Sequence, residues 1–139
     1  MSAQDSPDLD KTARFASQYT AAWCSQDAAS VAAFFAPNGS LRVNDSAPAV
    51  GRHAITAVTQ GFMTAFPDMQ VLMDDLTIQG DRAVYRWTLV GTNTGPGGTG
   101  RRVRISGFEE WRIGADDLIE ESLGHFDGED YQRQLEGAK

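Results

Sequence analysis

The sequence predicts an α+β protein: helices in the first half, then a run of antiparallel strands packed against them. Two observations carry this. Apolar residues recur every three to four positions as far as Phe66, the period of a helix face. From Met69 onward they alternate with polar residues between turn signals, the period of a half-buried strand. No repeat or linker divides the chain, so residues 1–139 read as one domain with an ordered core over 7–135.

Ser6-Pro7 reads as a helix start, with serine as cap and proline in the first turn. Phe15, Tyr19, Ala22 and Trp23 give this helix an apolar stripe. Tyr19 and Trp23 also carry polar tips able to reach a pocket. Residues 25–27 break the helix, and Asp27 is placed to cap a second, short one whose apolar set is Val31, Ala32, Phe34 and Phe35. Pro37-Asn38-Gly39 stops it and turns the chain. A short strand over 41–43 and a loop over 44–51 follow. Gly51-Arg52-His53 leads into a third helix with Ile55, Val58, Phe62 and Phe66 on its buried face, ended by Pro67-Asp68.

A strand over 69–79, a turn at Gln79-Gly80-Asp81-Arg82 and a long strand over 82–94 come next. Tyr85, Trp87, Leu89, Gly91 and Asn93 share one face of the long strand. The glycine-rich segment 95–100 joins two strands and opens no helix, so it is not a phosphate-binding loop. Two more strands lie within 100–127, and 128–134 form a last helical turn or two.

Composition excludes several classes of function. A net charge of −7 without any block of lysines argues against nucleic-acid binding. No apolar run approaches the length of a membrane span. The single cysteine, Cys24, allows no intramolecular disulfide, and the acidic N-terminus lacks the apolar centre of a signal peptide. Both point to the cytoplasm.

The last strand pair carries the chemistry. Val103, Ile105, Gly107, Trp111 and Ile113 share one parity, and Glu109 shares it too, which sets a carboxylate in the middle of an apolar face. In the next strand Ile119, Glu121, Leu123, His125 and Asp127 share a parity, so ionisable groups follow an apolar start. Carboxylates are rarely buried without a partner or a task. Glu109 therefore either pairs with an arginine, for example Arg52, or acts as a base whose pKa burial raises. Asp127 is either a second such base or a cap for the turn after it. His125, two residues from Asp127, either orients it or is a hydrogen-bonded strand histidine. The spacing of Glu109, His125 and Asp127 does not suggest a metal site.

The runs Arg86-Trp87-Thr88-Leu89-Val90-Gly91-Thr92-Asn93-Thr94-Gly95, Thr99-Gly100-Arg101-Arg102-Val103 and Ser106-Gly107-Phe108-Glu109, in that order, resemble the SnoaL-like polyketide cyclases of the nuclear transport factor 2-like superfamily. Gly51-Arg52-His53-Ala54-Ile55 is similar to the start of that family's third helix. The resemblance implies a cone-shaped fold, a strongly curved sheet around helices with a deep pocket, and homodimers through the outer sheet face. It also implies acid–base chemistry without a cofactor on a small hydrophobic carbonyl compound. By position, Glu109, Glu121 and Asp127 match acidic residues of the family pattern. Asn93 stands where that pattern has histidine, and Leu123 where it has tryptophan. The expected site is thus Asp127, Glu109 and His125 as catalytic groups. Trp23, Tyr19, Tyr85, Trp87, Asn93 and Leu123 are expected around the ligand. The alternatives are a non-catalytic binding module and a dimerisation domain with a filled cavity.

Overall fold

A computed structural model describes residues 9–136. The expected start at Ser6-Pro7 lies outside them. Helix α1 (Leu9–Cys24) buries Thr12, Ala16, Tyr19, Ala22 and Trp23, one stripe at helical spacing. Gln26, with φ of 64°, turns the chain into α2 (Ala28–Ala32). Asp27 holds the cap position but makes no side-chain cap bond; Ser25 Oγ accepts its backbone N–H instead.

Strand β1 (Phe35–Val43) starts earlier than the sequence suggests. Phe35 leaves the helix and pairs with Ile119, and the register slips before Ser40 pairs with Glu121. Pro37-Asn38-Gly39 sits in that slip: instead of ending a helix, these residues bulge a strand. The short β2 (Ala49–Val50) pairs with β1, and Gly51, with φ of 89°, leads into α3 (Arg52–Ala65). Its deepest residues are Ile55, Thr59 and Met63. Val58 and Phe62, expected in the core, are only half-buried and form part of a pocket wall.

Strands β3 (Gln70–Gln79), β4 (Arg82–Thr92), β5 (Arg102–Ile113) and β6 (Ile119–Phe126) complete a curved six-stranded sheet in the order β2-β1-β6-β5-β4-β3. All pairings are antiparallel except β1 with β6. The fully buried Trp111, Tyr19, Tyr85, Phe35 and Phe66 form the core between helices and sheet. No described helix is long and apolar enough to cross a membrane.

Helix α4 (Gly128–Glu136) has no buried residue, yet it is tied down at two points. Tyr131 packs against Phe126 and Phe66. Further along, the Gln134 side chain accepts a hydrogen bond from the Arg104 N–H (2.7 Å) and donates one to its carbonyl (2.9 Å). Strand β6 ends opposite Gly107, so Arg104 has no strand partner on that side, and a side-chain amide serves in place of one.

Gly107 lies opposite Trp87 across β4 and β5. A methyl group there would press on the His125 carbonyl, the Trp87 ring and Phe126. Gly107→Ala is expected to lower stability by about 2 kcal/mol in urea unfolding, the usual cost of overpacking.

Candidate functional site

The site is built on the inward face of β5. Val103, Ile105, Gly107, Glu109 and Trp111 point inward as their parity predicts. Tyr85 lies directly opposite Glu109 on β4, and Gly124 lies opposite it on β6. A methyl group at Gly124 would press on the Arg42 carbonyl and touch the Glu109 side chain.

Strand β6 does not keep the parity that its sequence suggests. Ile113 pairs with Ile119, but Arg112 pairs with Glu121, so one extra residue, Glu120, is accommodated in a bulge. Every later side chain changes face. Ser122, Gly124 and Phe126 turn inward, whereas Glu121, Leu123 and His125 turn outward. The face expected to be shared by Ile119, Glu121, Leu123, His125 and Asp127 is therefore corrected. His125 stacks on Phe108 at 4.7 Å and reaches Glu110 with Nε2 at 2.9 Å, and Glu121 pairs with Arg82 at 2.7 Å. Leu123 is outside the pocket lining. Asp127 is exposed, and its Oδ1 accepts the backbone N–H groups of Glu129 and Asp130, capping α4.

Glu109 is 7% exposed, and its two oxygens are unlike. Oε1 accepts three hydrogen bonds: from Trp111 Nε1 at 2.8 Å, Ser122 Oγ at 2.8 Å and Tyr19 Oη at 3.0 Å. Oε2 has only the same tyrosine hydroxyl at 3.3 Å. Among the described residues no ion pair includes Glu109. Arg52, the expected alternative partner, donates instead to the Phe35 carbonyl. Burial pushes the Glu109 pKa above the usual carboxyl range, and the donors from Trp111, Ser122 and Tyr19 pull it partly back. Burial beside Glu109 also pushes the Tyr19 phenol far up, so it remains a neutral donor.

Glu109 lines an apolar pocket with a cavity volume of about 60 Å³. Trp23 of α1, Val58 and Phe62 of α3 and Val71 of β3 form one side. Tyr85, Trp87, Leu89, Ile105, Gly124 and Phe126 form the sheet side, and Leu41 and Val43 close the end. Of the expected ligand contacts, Trp23, Tyr85 and Trp87 line this pocket. Tyr19 lies behind Glu109 rather than in the wall. Asn93 is elsewhere: its amide donates to the Ala65 carbonyl and its oxygen accepts the Thr99 N–H, closing the 95–100 loop. Sequence reasoning missed Ser122, which the bulge hides. It noted Trp111 only as core, although a tryptophan two residues from Glu109 on the same face was a legible sign of a donor.

The raised pKa has a definite consequence for stability. A carboxyl whose folded value exceeds its unfolded value contributes fully at pH below the unfolded value, and that contribution is lost as pH rises through the folded value. Urea unfolding from about pH 4 to 8 is expected to show wild type losing stability relative to Glu109→Gln as pH rises, across the range above the ordinary glutamate value of about 4.3. A difference independent of pH would contradict the assigned environment.

The sequence matches the model of the SnoaL-like polyketide cyclase family over residues 13–135. No curated protein is recognisably similar to the chain. Among solved structures, TsrD from Streptomyces laurentii superposes with a TM-score of 0.79 at 23% identity, covering 93% of this chain and 97% of that one. AclR from Streptomyces galilaeus gives 0.79 at 22%, covering 94% and 83%. The epoxide hydrolase/cyclase-like enzyme SalBIII, of pyran ring formation in salinomycin, gives 0.75 at 16%, covering 88% and 95%. Other neighbours are described as ketosteroid isomerase-like or NTF2-like, the fold expected from the sequence. A family match spanning nearly the whole chain, on the fold those neighbours share, shows that this protein belongs to the SnoaL-like polyketide cyclases.

Proposed function

We propose that this protein is an acid–base enzyme of the cyclase, isomerase or lyase kind, acting on a small hydrophobic carbonyl compound with Glu109 as its proton-transferring group. One observation carries the reading: a buried carboxylate with no counter-ion among the described residues, at the side of an apolar pocket, with one oxygen saturated by donors and the other nearly unused. Proton abstraction next to a carbonyl needs a base whose pKa approaches the operating pH, and desolvation supplies it. The three donors on Oε1 hold the carboxyl group in one orientation and direct Oε2 at the ligand. The cyclase-like neighbours support this class of chemistry without choosing the substrate.

His125 and Asp127 have no part in this reading, because neither lines the pocket. Two measurements test it. NMR titration of the Glu109 carboxyl, assigned with Glu109→Gln, is expected to give a value above the ordinary ~4.3. In deuterated water, small apolar ketones are expected to exchange the hydrogens beside their carbonyl in the presence of wild type and His125→Ala. Glu109→Gln is expected to slow this exchange by roughly a hundredfold or more. A carboxyl titrating at or below the ordinary value, or exchange unchanged in Glu109→Gln, would overturn the proposal.

A further inference from the structure

The pocket wall is selective for charge as well as for size. Among its lining residues, the only ionisable groups are Glu109 and the Tyr85 phenol. The Tyr85 hydroxyl is already engaged with Thr20 Oγ1. Among the described residues no lysine, arginine or histidine lines the pocket, so an anionic ligand would meet a carboxylate and find no compensating charge. Five of the lining side chains, Trp23, Phe62, Tyr85, Trp87 and Phe126, are aromatic, and aromatic faces attract cations. The whole chain adds a net charge of −7, which favours the approach of cations.

The kind of cation follows from the acceptors on offer. A primary ammonium brings three N–H donors, each of which needs an acceptor once it is desolvated. The pocket offers Glu109 Oε2 and little else, because Oε1 is already saturated. An N-methylated ammonium spreads its charge over methyl groups, needs no such set of acceptors and fits against aromatic rings. We propose that the pocket binds small methylated ammonium compounds, with the charge beside Glu109 Oε2 and the methyl groups against the rings of Trp23, Phe62, Tyr85, Trp87 and Phe126. This goes beyond proton transfer: it rests on the uncompensated carboxylate and the aromatic wall, not on turnover. Such cations compete with an uncharged substrate for the same space.

The test compares choline with dimethylbutanol, its uncharged carbon isostere, by NMR titration of the wild-type protein. Choline is expected to bind roughly tenfold more tightly or better, as a desolvated cation–aromatic contact plus a charge pair implies. The indole N–H signals of Trp23 and Trp87 are expected to shift with it. In Glu109→Gln the preference for choline is expected to fall at least threefold, because the charge pair is lost while the aromatic contacts stay, and the affinity for dimethylbutanol is expected to hold. Choline affinity is expected to rise as pH climbs through the Glu109 titration. The other titratable groups acting on that carboxyl, Tyr19 from α1 and Tyr85 from β4, stay protonated there because burial raises both. Equal affinities for the two compounds in wild type, or a preference for choline undiminished in Glu109→Gln, would overturn the proposal. The wild-type comparison needs no variant to fold. Ketone exchange that depends on Glu109, found without any preference for choline, would sink this inference and leave the acid–base reading standing.

Discussion

An unpaired carboxylate in an apolar interior is the constraint around which this structure is arranged. Burying such a group without compensation is expensive. Here the compensation comes from hydrogen bonds drawn from separate parts of the fold: Tyr19 from α1, Trp111 from β5 and Ser122 from β6. Two of the three donors are aromatic. Tyr19 and Trp111 fill the core with their rings, edge to face at 5.1 Å, while their polar tips meet at one oxygen. Trp111 is stacked on Tyr85 in turn, at 4.8 Å. The docking of α1 on the sheet and the polarity of Glu109 are therefore one arrangement. Only Oε2 is left without a close partner, and it belongs to a residue of the pocket wall.

The sheet reaches this arrangement through its irregularities. Regular strands would alternate without interruption, and the register shifts in β1, β3 and β6 are where the pairing departs from that rule. The shift in β6 decides which chemistry faces the helices. It turns a serine inward beside Glu109 and sets a histidine on the outer face, stacked on Phe108 and bonded to Glu110. Gly124, turned inward by the same shift, lines the pocket beside Glu109.

Much of this was legible in the sequence, and the failures share one cause. Helical periodicity located α1 and α3, and the alternation along β4 and β5 put Tyr85, Trp87 and Glu109 on the inward face. Alternation along β6 misled, because a strand's parity can be carried forward only while its register holds, and a bulge leaves no mark in the side-chain pattern. His125 and Leu123 were misplaced for that reason, and Ser122 was missed for the same one. Pro37-Asn38-Gly39 misled in a related way: residues that commonly end an element here bend one. Asn93 and Asp127 look like site residues by type and position, but they satisfy backbone groups in a loop and at a helix start. Such roles depend on neighbours brought close by folding, as with Ala65, which lies far from Asn93 in the chain.

The bond pair between Gln134 and Arg104 has a consequence for how copies of the chain behave together. Where β6 stops, the first residues of β5 would present free backbone N–H and C=O groups beside the apolar residues Val103 and Ile105. A bare stretch of that kind is a template on which a strand from another molecule can pair, the usual seed of aggregation. The Gln134 amide occupies the place an intruding strand would take, and α4 covers the position with charged and polar residues. A helix with no buried residue of its own thus covers the side of β5 that β6 leaves open.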